Sequence, residues 1–135
     1  MSELPISPER LSELTEVISV WLDNQLNSKT LVQSVEHNKN ESRWYVRISG
    51  EDKDNSMVLF TLGQRTLHFE TYFMPSPEEN QQDVFQYLLR KNSKLYGVSF
   101  GVGSEEAVYL SGQINSEVIS SDTLDWVLGT IYKAV

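Results

Sequence analysis

His68 and Glu70 stand two residues apart in the stretch Thr66 to Met74, and in an extended strand that spacing puts an imidazole and a carboxylate on one face. A carboxylate so placed can raise the imidazole pKa or orient the ring as a base. With Arg47 from a neighbouring stretch, the pair defines one reading: a small-molecule sensor or a weak enzyme. No third triad member accompanies it, and His and Glu are common on half-exposed strands, so a structural or interface role takes precedence. His37 lies in a polar stretch without a ligand-spaced partner, which leaves no metal site to expect. No glycine-rich phosphate loop occurs, and no cofactor is expected.

Two further candidates yield to local structure. Gly97-Val98-Ser99-Phe100-Gly101 matches a Gly-x-Ser-x-Gly nucleophile elbow, which requires a strained strand-to-helix turn. Here Val98, Phe100 and Val102 alternate through the serine and another strand follows, so a strand is predicted. Its glycines leave one nearly bare face, open to close approach by another element. Glu78 and Glu79 are expected in the first turn of a helix and Arg90-Lys91 in its last, where each charge complements the helix dipole.

The elements that position these groups follow from periodicity. Ser7-Pro8-Glu9 caps a helix carrying Leu11, Leu14, Val17, Ile18, Trp21 and Leu22 to about Asn27. A polar edge strand of about Thr30 to His37 follows, then a half-buried strand in which Trp44, Val46 and Ile48 alternate with Tyr45, Arg47 and Ser49. Gly50 to Asn55 is the next turn. Met57 to Leu62 is apolar on both faces and predicts a central strand covered on both sides. In the fourth strand Leu67, Phe69, Thr71 and Phe73 oppose Thr66, His68, Glu70, Tyr72 and Met74. Ser76-Pro77-Glu78-Glu79 reads as a capping box opening a helix to about Asn92. Gly97 to Gly103 and Ala107 to Gly112 form a hairpin, and Ser120-Ser121-Asp122 caps a last helix with Leu124, Val127, Leu128 and Ile131 as its core stripe. Trp126 lies off that stripe, facing a partner or the chain's own loops.

A chain of 135 residues with 39% apolar content suits one domain over 1–135, folded throughout. Eleven Lys and Arg against 19 Asp and Glu give a net charge of −8. With no basic stripe, nucleic acid and membrane surfaces are poor partners, and a protein or a neutral small molecule is better. The absence of cysteine removes disulfides, thiol nucleophiles and Cys-based zinc sites. Met-Ser-Glu-Leu-Pro lacks the basic start and apolar core of a signal peptide, so the cytoplasm is the expected location.

The second face of the sheet collects Tyr45, Arg47, Met57, Leu59, His68, Glu70, Tyr72, Met74 and Tyr109. Tyr, Met and Arg are enriched at protein interfaces. This face is either an interface or the seat of a second helical layer.

Trp44 to Arg47, Leu62 to Tyr72, Met74 to Asn80, Leu88 to Asn92 and Leu95 to Val98 together resemble the actinobacterial YbjN-like proteins, a family labelled as sensory-transduction regulators and without established catalytic residues. That family in turn is similar to type III secretion chaperones, small acidic homodimers that hold extended client polypeptides. The resemblance implies an α+β domain, a homodimer and a non-enzymatic chaperone-like or regulatory protein-binding role. The order read from the residues is α-β-β-β-β-α-β-β-α, one strand more before the middle helix than those chaperones have. Partner-binding residues are then expected at Tyr45, Arg47, His68, Glu70, Tyr72 and Tyr109.

Overall fold

The computed structural model describes residues 6–28, 31–50 and 55–135. Helix α1 (Pro8–Asn27) starts where the sequence places it: Pro8 needs no amide partner, and the Ser7 hydroxyl accepts from the Arg10 amide at 3.2 Å. Strands β1 (Val32–Asn38), β2 (Arg43–Ile48), β3 (Ser56–Leu62) and β4 (Thr66–Met74) follow, then α2 (Gln81–Asn92), β5 (Ser99–Val102), β6 (Val108–Asn115) and α3 (Ser121–Ala134). The expected start of the first strand at Thr30, and most of the turn over 50–55, lie outside the described residues.

All six strands join one antiparallel sheet in the order β1-β2-β3-β4-β6-β5. This is an α+β architecture with the element order that periodicity predicts. On one face Trp44, Val46, Ile48, Val58, Phe60, Leu62, Leu67, Phe69 and Leu110 are buried, and each such aliphatic or phenyl side chain contributes about 1.5–3 kcal/mol. Trp21 of α1 meets Phe60 edge-on at 6.3 Å and donates its Nε1–H to Asp125 of α3 at 2.8 Å. One indole thereby ties two helices to the sheet. The Ser120 hydroxyl accepts from the Thr123 amide, and the Thr123 hydroxyl accepts from the Ser120 amide at 2.9 Å, a complete capping box for α3.

Helix α2 is held at its far end. The Asn92 side chain accepts from the Phe100 amide at 2.7 Å and donates to the Phe100 carbonyl at 3.2 Å. These backbone groups belong to β5, an edge strand that would otherwise expose them.

Three local expectations are corrected. The capping box at Ser76–Glu79 does not form: Pro77 is buried, the Gln81 side chain donates to its carbonyl at 3.0 Å, and the chain turns once more through left-handed Asn80 (φ 56°, ψ 38°) before α2 begins. Seating Pro77 outweighs a cap worth about 1 kcal/mol. Glu78 and Glu79 therefore precede the helix, and Asp83 is its first-turn acid, while Arg90 and Lys91 do fall in the last turn. The third strand is not covered on both sides, since Met57, Leu59 and Thr61 are only half-buried between neighbouring side chains. Finally, the register slips between Tyr72 and Met74, so Met74 pairs with Val108 and joins Phe73 against the core. This bulge removes Met74 from the second face.

Candidate binding face of the sheet

No described α-helix lies over the second face of the sheet, and strand register arranges its side chains in three rows. Arg43, Thr61, His68 and Gln113 form the first. Tyr45, Leu59, Glu70, Ser111 and Ser99 form the second. In the third, Arg47 pairs with Met57 on one side, and Tyr72, Tyr109 and Gly101 line up on the other. All six site residues expected from sequence fall on this one surface. Tyr45, His68, Glu70 and Tyr109 are half-buried, and Arg47 and Tyr72 are exposed.

The rows also show what the face does not assemble. Along the strands Arg47 stands roughly 13 Å from the His68 row, and roughly 10 Å separates β2 from β4 across the sheet. His68, Glu70 and Arg47 share a surface without converging on one pocket. Arg43, in the His68 row, is held by its own neighbours, donating to the Thr61 hydroxyl at 3.0 Å and pairing with Glu41 at 3.4 Å.

The best-built part lies at the β4–β6–β5 end. Tyr72 and Tyr109 meet edge-on, ring centres 5.7 Å apart at 86°, a geometry worth about 0.5–1.5 kcal/mol beyond burial. Tyr109 also lies against Gly103, where a Cβ would come within 2.7 Å of its ring. The bare glycine strand thus makes room for the chain's own tyrosine. At Gly101 nothing lies within 4 Å of a Cβ position, which leaves a polar hollow of about 260 Å³ bounded by Glu70, Tyr109, Ser111 and Ser104. Ser99 opens β5, and only a three-residue 3-10 turn (Ser104–Glu106) and another strand follow it, not an α-helix, so the elbow motif is without its strand-to-helix turn. Among the described residues no group of three or more His, Asp or Glu could hold a metal ion, and no helix is long and apolar enough to cross a membrane.

His37 occupies the opposite face. Its ring stacks on Trp44 at 4.4 Å and 5°, while Trp44 donates to the Ser19 hydroxyl of α1 at 3.2 Å. The His37 Nε2 is sealed from water with no hydrogen-bond partner among the described residues. Burial, aided by the nearby Lys39 charge, holds its pKa below the ordinary histidine value.

Among the described residues, fold and surface together define an α+β domain with three α-helices on one side of a six-stranded antiparallel sheet and a tyrosine-bearing open face on the other. No family model matches the chain. It is similar to uncharacterised proteins of Mycobacterium tuberculosis and Mycobacterium bovis, each 32% identical over 90 residues, which cover 67% of this chain and 49% of the relative. A similar Mycobacterium leprae protein, also uncharacterised, is 29% identical over 93 residues, covering 69% and 50%. The chain spans about half the length of the curated relatives it matches.

Proposed function

We propose that this chain is a non-enzymatic protein-binding module, chaperone-like or regulatory and of the YbjN-like kind, which engages polypeptide through the open face of its sheet. One observation carries the reading: Tyr45, Arg47, Met57, Leu59, Tyr72 and Tyr109 share a broad surface that none of the three helices covers. Tyrosine and arginine anchors supply a disproportionate share of interface energy because they bury large area and keep a polar tip. Spread over two rows and across four strands, these groups suit a partner surface better than a small ligand.

The partner is another polypeptide, a second copy of this chain included, and the cytoplasm suits the composition. The deciding experiment is affinity capture from native lysate with wild type and Tyr72→Ala side by side. Polypeptides retained by wild type and lost from the folded variant support the reading. Equal retention by both moves the binding surface elsewhere. His68→Gln should leave capture nearly intact, whereas an enzyme using that imidazole would lose about a hundredfold in rate.

A further inference from the structure

Between α2 and β5, on the helix-bearing side, lies an apolar groove of about 290 Å³ lined by Phe85, Leu88, Leu89, Phe100, Val102 and Val108. Leu89 and Val102 are 65% and 55% exposed on its rim, although aliphatic side chains bury readily where a neighbour exists. The Asn92 clamp occupies the outward backbone groups of Phe100, so a strand cannot add there through main-chain bonds at that residue. What remains available is a slot for one apolar tail.

A cation stands at the Phe100 end. The Lys91 Nζ lies 5.7 Å from the Phe100 ring centre and 5.7 Å from that of Tyr87, within cation–π range of both. Arg90 precedes it in the last turn of α2 and Lys94 follows just beyond the helix, and no described acidic side chain pairs with any of the three. On a chain of net charge −8, Lys91 is the cation that the structure sets against the groove-lining Phe100.

We propose that the groove binds a free single-chain carboxylate, its apolar tail along Leu88, Leu89 and Val102 and its anionic head at Lys91. The volume sits at the low end for ligand sites, which suits a short tail. The site does not depend on the open-face reading.

Octanoate titrated into the full chain, followed by backbone amide shifts and calorimetry, tests this. Shifts should map to Leu89, Val102 and Val108, with octanoate binding about three- to fivefold tighter than octanol, as one partly exposed charge contact allows. Lys91→Gln should erase that difference, and Val102→Glu should abolish octanoate binding while retaining a wild-type melting transition. If Val102→Glu does not fold, Leu89→Glu at the exposed rim replaces it. Absence of shifts at the groove, or equal affinity for octanoate and octanol, overturns the proposal. So does retention on phosphatidylglycerol vesicles without a response to octanoate.

Discussion

The two faces of this sheet are made from alternate residues of the same strands, yet they obey different rules. On the helix side Trp44, Phe60 and Phe69 fill space against α1 and α3, and shape decides what is tolerated. Across the pleat, Tyr45 and Glu70 are half-buried and Tyr72 is exposed, and chemistry matters more than volume. Side-chain period alone separates a sealed surface from an open one, and a single bulge at Tyr72–Met74 moves a residue between them.

The hardest test of the sealed face is Trp44→Ala. With the residue 1% exposed and its indole bonded to Ser19, truncation should cost about 3–5 kcal/mol. That is a large share of the roughly 5–15 kcal/mol that holds a domain together. A urea midpoint equal to wild type would show the two faces assigned the wrong way round.

Glycine offers a matched pair. A Cβ at Gly112, on the core side opposite Phe69, would overlap the Gly97 carbonyl oxygen and approach the Phe69 ring at 2.9 Å, so Gly112→Ala should destabilise by about 1–3 kcal/mol. Gly101→Ala points into open space and should stay within about 0.5 kcal/mol. Equal effects in thermal melts would erase the asymmetry between the faces at this end of the sheet.

On the open face the expected loss is in association. Tyr72→Ala and Arg47→Ala should each weaken partner or dimer affinity by about 1–3 kcal/mol and leave the melting transition within about 0.5 kcal/mol of wild type. Light scattering after size exclusion at tens of micromolar tests for self-association, and calorimetry reads a captured partner. Tight association by both folded variants would shift attention to the helices, where Trp126 is 57% exposed and packs on Tyr96 at 4.7 Å.

The smallest effect concerns pH. Because His37 is held below its ordinary pKa, the unfolded chain takes up this proton first on acidification. Stability from this site is full above the ordinary histidine value, falls as pH drops through it, and levels off below the lower folded-state value. Denaturation midpoints between pH 7.5 and 5 should therefore decline less in His37→Phe than in wild type. Parallel profiles would mean that the stacked ring titrates freely.

The order of elements was legible because it rests on short-range signals. Ser7-Pro8 and Ser120 cap their helices through contacts three residues away, and Trp44, Val46 and Ile48 declare their strand by alternation alone. The six candidate residues could be assigned to one face for the same reason, since period two does not depend on what covers the sheet. Tertiary structure decided the rest. Whether a helix lay over that face depended on where α1, α2 and α3 docked, which caps and stripes do not encode. The start of α2 followed the burial of Pro77, and Met74 changed sides because β4 takes an extra residue against β6. Both outcomes arise between segments distant in the chain, where packing energies of several kcal/mol exceed local preferences of about 1 kcal/mol.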